Sequence, residues 1–237
     1  MLAATLDAAV DEKNTPVLLV RGIDSSDRFL QHLEKAIKDD GFKNVSYASF
    51  GPRFGWSGLR EIGAEIAEAA RKLKAETKAE KIDVVAFSMG ALASRYFIQR
   101  LKGKEFVRKF ISISGPQNGT YMGYFRVFQQ GIRDMLPGSD LINDLQSDLD
   151  PFGDVQVFSY YTPYDIIIVP SDSSILKESA EVKSFQVALH HQMVKDPVVL
   201  KEVVRDLKKP HAAKSSMIAK TPPTKTRVGE LSASPAS

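Results

Sequence analysis

Apolar and polar positions along the chain follow two periods, and the order of those periods predicts an architecture. VLLVRG (Val17–Gly22) opens after Pro16, carries no charge until Arg21 and reads as a strand covered on both faces. Beyond it Phe29, Leu30, Leu33 and Ile37 recur at helical spacing, with Ser25 or Ser26 to cap and Gly41 to close. NVSYASF (Asn44–Phe50) reads as a second strand, and the glycines and proline of Gly51–Gly58 mark a loop. Leu59–Thr77 places Leu59, Ile62, Ile66, Ala70 and Leu73 on one face of an amphipathic helix. A strand at Lys81–Phe87, a helix at Met89–Leu101 and a strand at Val107–Ser114 follow. The β-α-β-α-β-α-β order predicts an α/β fold with a mainly parallel sheet and helices on both faces.

Gly115–Gly153 breaks the alternation. Within it Tyr121, Tyr124, Phe125, Phe128, Ile132 and Met135 lie close to one helical face. They read equally as a cap helix lining an acyl pocket and as core packing. Val155–Tyr161 and Val182–Ala188 read as two more strands, and Pro197–Leu207 as a helix with proline in its first turn. We therefore expect one domain at residues 15–207, a cap insertion at 117–153 and a lead segment at 1–14. Residues 208–237 lack periodicity and are expected to be a disordered tail.

Charge sharpens this division. The net charge is +3, yet Lys208–Ser237 holds six Lys/Arg against one Glu. The preceding residues then carry 26 basic and 28 acidic side chains, so the basicity belongs to the tail. No basic, aromatic-interleaved stripe points to nucleic acid. Cysteine is absent, which removes disulfides and thiolate metal sites. The histidines show no ligand spacing such as H-E-x-x-H, and no nucleotide-binding glycine loop occurs, so neither metal nor cofactor is expected. MLAATLDAAVDEKN lacks the cationic start of a signal peptide, and no run is apolar enough to span a bilayer. The expectation is a cytoplasmic protein with no transmembrane segment.

The chemistry centres on IDVVAFSMGALASRY (Ile82–Tyr96). An apolar strand runs into Phe87-Ser88-Met89-Gly90 and a helix follows at once. A nucleophile elbow needs this context, because a tight strand-to-helix turn lifts the serine hydroxyl above the sheet edge. Ala86 and Gly90 supply the small residues that the close approach of strand and helix requires. The alternative is that Ser88 is a plain helix N-cap.

These residues resemble the bacterial lipase and esterase branch of the α/β-hydrolase superfamily, in particular small lipases with an A-x-S-M-G elbow. PVLLVRGI (Pro16–Ile23) resembles the strand entering the oxyanion loop. ISGPQNGT (Ile113–Thr120) resembles a P-H-x-G-T motif, and MLPGSDLINDL (Met135–Leu145) a P-G-S-x-x-L segment. Arg21, Phe87 and Gln117 each stand where these enzymes often carry histidine.

The resemblance implies a serine hydrolase with its triad in the order Ser, acid, His. It implies Asp165, in the turn TPYDIIIVP (Thr162–Pro170), as the acid, with Asp172 as runner-up. For the base it points to His190 or His191. The H-x-x-hydrophobic-hydrophobic-x-x-P pattern favours His190, which sets Met193, Val194 and Pro197 in register. It further implies the backbone N–H groups of Ile23 and Met89 as the oxyanion hole. Phe54, Trp56, Tyr121, Tyr124 and Phe125 are candidate substrate contacts. The expected substrate is an acylglycerol or other lipid ester, with transient contact to a lipid surface. A thioesterase, amidase or acyltransferase would use the same triad, and a catalytically inactive binding protein would use none of it.

Overall fold

A computed structural model describes residues 12–23, 26–48, 50, 56–211 and 225–228. Seven strands form one sheet: β1 (Val17–Val20), β2 (Val45–Tyr47), β3 (Ile82–Phe87), β4 (Val107–Ile113), β5 (Gln156–Tyr161), β6 (Glu181–Phe185) and β7 (Lys225–Val228). Their spatial order is β2-β1-β3-β4-β5-β6-β7, and every neighbouring pair is parallel. The central strands β1, β3 and β4 are buried along their whole length; β1 is apolar throughout, whereas Asp83 of β3 is buried against Arg108 of β4 at 2.9 Å and the buried Lys109 donates to the Leu207 carbonyl at 2.6 Å.

Side chains alternate between two cores. Leu18, Val20, Val84 and Ala86 pack with α2 (Leu59–Thr77) and α3 (Met89–Arg100). Val17, Leu19, Val85 and Phe87 pack with α1 (Gln31–Asp39) and α6 (Pro197–Leu207). Period-two alternation thus feeds a helical layer on each face. In α2 the buried residues include Leu59, Ile62, Ile66, Ala70 and Leu73. Gly63 lets α2 meet α3 closely, since a Cβ there would sit 2.6 Å from the Tyr96 ring. No helix among the described residues is long and apolar enough to cross a membrane.

Two expectations change. The aromatic stripe does not form one cap helix. It divides into a 3₁₀ turn (Tyr121–Arg126) and the short α4 (Gln130–Asp134), followed by α5 (Asp140–Gln146). Ile132 and Met135 enter the core, whereas Tyr121, Tyr124, Phe125 and Phe128 are exposed. Gly123 packs where a Cβ would lie 2.9 Å from Leu136, so the turn follows the core below it rather than the helical period. The segment after Leu207, expected to lack structure, contributes β7 along β6. A strand edge presents unpaired N–H and C=O groups that an extended segment can satisfy. Lys208 and Lys209 also bind the domain, through Asp40 at 2.9 Å and Asp206 at 2.9 Å.

Candidate active site

The sheet's alternation ends on Ser88, between β3 and α3. Its backbone has φ 55° and ψ −129°, a conformation that residues with a Cβ rarely adopt. Such strain costs on the order of 1–3 kcal/mol and persists only where surrounding structure over-determines it. Here the Ser88 N–H donates to the Ile113 carbonyl at 2.9 Å, and the Ala91 N–H donates to the Ser88 carbonyl at 2.9 Å. The turn is thereby tied to β4 on one side and to α3 on the other.

Small residues make the turn possible. A Cβ on Gly90 would lie 2.2 Å from the Arg21 carbonyl oxygen and 2.9 Å from Val20. A Cβ on Gly22 would lie 2.8 Å from the Cβ of Ser88 and 3.3 Å from its Oγ. The turn after β1 therefore passes directly against the serine. Gly90→Ala is expected to destabilise the fold by about 3 kcal/mol, because the obstructing atom is backbone and cannot rotate away. For a chain of this size that is a fall in Tm of about 6–12 °C. A thermal melt within about 2 °C of wild type would contradict this close packing.

The candidate base and acid arrive from separate loops. His190 opens a 3₁₀ turn (His190–Val194) after β6, and Met193 and Val194 are buried in the core beside α6. Anchoring those two residues turns His190 inward. Its Nε2 lies 2.9 Å from Ser88 Oγ and its Nδ1 lies 2.7 Å from Asp165 Oδ2. His191 is exposed and faces the Phe29 ring, with centroids 6.4 Å apart. Asp165 follows β5, and its Oδ1 accepts from the N–H groups of Ile167 and Ile168, each at 2.9 Å. Asp172 is exposed in a turn elsewhere (Ser171–Ser174).

Burial alone would raise the Asp165 carboxyl. The hydrogen bond to His190, its charge and the two backbone donors outweigh that and hold the group below its ordinary value. The lowered Asp165 carboxyl favours its ionised form and presents a fixed acceptor to His190 Nδ1. A hydrogen-bonded chain from carboxylate to imidazole to hydroxyl is the arrangement that lets a serine lose its proton as it attacks a carbonyl.

Of the oxyanion candidates, Met89 is the first residue of α3, so its N–H has no intrahelical acceptor. Ile23 follows Gly22 in the turn against Ser88 and is half-buried. Among the substrate-contact candidates, Tyr121, Tyr124 and Phe125 stand exposed on the 3₁₀ turn, Trp56 is exposed, and Phe54 lies outside the described residues.

The three positions that depart from the lipase pattern have separate surroundings. The Arg21 guanidinium lies 5.2 Å over the Phe50 ring, with Asp27 3.4 Å from its Nε. The Gln117 side chain is buried and its Nε2 donates to Ser112 Oγ at 2.9 Å, while the Gln117 backbone carbonyl accepts from Arg95 at 2.8 Å. Phe87 touches the site itself, its ring centroid 4.8 Å from that of His190 and 5.8 Å from that of Phe29. Sequence reasoning missed this support for the imidazole. The signal was an aromatic residue directly before Ser88, on the strand face shared with His190.

A sequence model described as palmitoyl protein thioesterase matches residues 16–147, which include Ser88 and end before Asp165 and His190. No curated protein matches the chain. Solved structures share the fold at low identity. Lipase B of Aspergillus fumigatus superposes with a TM-score of 0.70 at 16% identity, over 85% of this chain. This chain spans only about half of that lipase, 54% of its length. The mature lipase BlEst2 of Bacillus licheniformis gives 0.67 at 12% identity, over 82% of this chain and 92% of that one. A lipase-esterase related protein from Clostridium acetobutylicum gives 0.58 at 19% identity, over 82% and 93%. These likenesses identify the α/β-hydrolase fold.

Proposed function

The chain belongs to the palmitoyl protein thioesterase family, and from that premise we propose that it is a serine hydrolase cleaving carboxylic esters of lipid acyl groups through an acyl-Ser88 intermediate. The observation that carries the reading is the unbroken chain Asp165–His190–Ser88, with contacts of 2.7 and 2.9 Å.

In this reading Ser88 Oγ passes its proton to His190 Nε2 and bonds to the ester carbonyl carbon. The carbonyl oxygen takes up the negative charge and accepts hydrogen bonds from the N–H groups of Met89 and Ile23. Each such donor is worth about 3 kcal/mol of transition-state stabilisation. Collapse of the intermediate breaks the bond to the leaving alcohol, which takes the proton from His190. Water, deprotonated by the same imidazole, then releases the acid and restores Ser88. The exposed aromatic groups of the 3₁₀ turn offer apolar contact to an acyl chain.

A second reading, thioester hydrolysis, is favoured by the description of the family itself. A thioester differs only in its leaving group, a thiolate that departs more readily than an alkoxide. The test is a parallel panel of p-nitrophenyl esters and coenzyme A thioesters of increasing acyl length. We expect saturable turnover of the esters. Turnover confined to thioesters would select the second reading, and turnover of neither would overturn both.

A further inference from the structure

We infer that Thr120 is a positioning residue for the acid of the proposed triad. The inference rests on the assignment of Ser88, His190 and Asp165 given above. Thr120 is buried, with 3% of its surface exposed, and caps the 3₁₀ turn Tyr121–Arg126. Its hydroxyl donates to the Ile167 carbonyl at 2.7 Å and accepts from the Val169 N–H at 3.0 Å and the Met122 N–H at 3.3 Å. Next to it the Tyr121 N–H donates to the Val169 carbonyl at 2.9 Å, and the Thr120 N–H donates to the Met135 carbonyl at 2.8 Å.

Covalent geometry gives these contacts their meaning. The Ile167 carbonyl and the Ile168 N–H belong to one planar peptide group. That N–H donates to Asp165 Oδ1 at 2.9 Å. The Thr120 hydroxyl therefore grips one end of an amide whose other end holds the carboxylate. Donation to the carbonyl also polarises the amide and strengthens its N–H as a donor. The line continues from Asp165 Oδ2 to His190 Nδ1 and from His190 Nε2 to Ser88 Oγ. Thr120 thus fixes the orientation of Asp165 from the side of the exposed aromatic turn. Val169 is held at both its N–H, by the Thr120 hydroxyl, and its carbonyl, by the Tyr121 N–H, which ties the segment after Asp165 to the 3₁₀ turn.

The test compares Thr120→Val, which keeps the shape and removes the hydroxyl, with Thr120→Ser, which keeps the hydroxyl. Active sites are counted by titration with a fluorophosphonate, and kcat and KM are measured per titrated site on a short-chain p-nitrophenyl ester. A residue that only stabilised the fold would change the number of sites and leave kcat per site alone. We expect Thr120→Val to lower kcat per site by about ten-fold, in line with small misplacements of a catalytic group. KM should stay within about two-fold and Thr120→Ser should restore most of the loss. If the valine variant yields no titratable sites, Thr120→Cys, whose thiol is a weak donor, replaces it, with the same slow-against-fast contrast to serine. An unchanged kcat per site in the hydroxyl-free variant, or an equal loss in Thr120→Ser, would overturn the role of Thr120 alone. A wild-type protein that neither titrates nor turns over the ester would instead bring down the triad assignment, and this inference with it.

Discussion

Ser88→Ala is expected to lower kcat on an ester substrate by about 10⁵-fold or more, with KM within about two-fold of wild type. The proposed nucleophile disappears, and among the described residues no other hydroxyl shares the contact with His190 Nε2 at 2.9 Å. The effect should be chemical rather than structural. The strained backbone at φ 55° is unchanged because alanine keeps the Cβ that serine already accommodates beside Gly22. The side-chain hydrogen bond lost is the one to His190, worth about 1 kcal/mol. Residual turnover of about 10³–10⁴ over water would come from the oxyanion donors and binding. Kinetics together with a thermal melt checks both halves, and a catalytically intact Ser88→Ala would place the chemistry elsewhere.

Asp165→Asn should cost about 10⁴-fold in kcat, more than its size suggests. The carboxylate spends its Oδ1 on the Ile167 and Ile168 N–H groups and its Oδ2 on His190 Nδ1. In the variant the carbonyl oxygen of asparagine keeps the two backbone donors, which leaves the side-chain NH₂ facing Nδ1. Nδ1 must then accept, so the proton moves to Nε2 and faces Ser88. An imidazole in that tautomer cannot take the serine proton. Substrate binding is untouched, so KM should hold while kcat falls. The loss should shrink at alkaline pH, where hydroxide can substitute for the base. A variant within about ten-fold of wild type at neutral pH would contradict the assignment of Asp165.

Much of the scaffold could be read because its elements are locally consistent. Leu59–Thr77 and Pro197–Leu207 match the helices α2 and α6 residue for residue, since periodicity and end signals agree. The buried strand β1 betrays itself by an apolar run and β3 by the apolar stretch after Asp83, while β4 shows only a short one after the buried Arg108 and Lys109. The elbow was legible because strand, small residues and helix must coincide around Ser88. Asp165 and His190 came from the family pattern rather than from local physics. What escaped depended on tertiary contacts. Ser139 accepts from the Ile142 N–H at 3.3 Å and so caps α5, a helix hidden in a segment read as irregular. Its signal was the serine three residues before that amide. The aromatic stripe showed a helical period, yet the core below it took Ile132 and Met135 and left the aromatic residues outside. The contacts of Phe87 with His190 and of Thr120 with Ile167 join residues far apart in sequence, and no periodicity encodes them.

The proposed chemistry requires Ser88 to be an activated nucleophile. Intact mass spectrometry after treatment with a fluorophosphonate, followed by peptide mapping, tests this without a substrate. The expected result is a single covalent adduct on Ser88, absent from Ser88→Ala and strongly slowed in a His190→Ala variant. An unmodified wild-type protein, or an adduct on another residue, would contradict it.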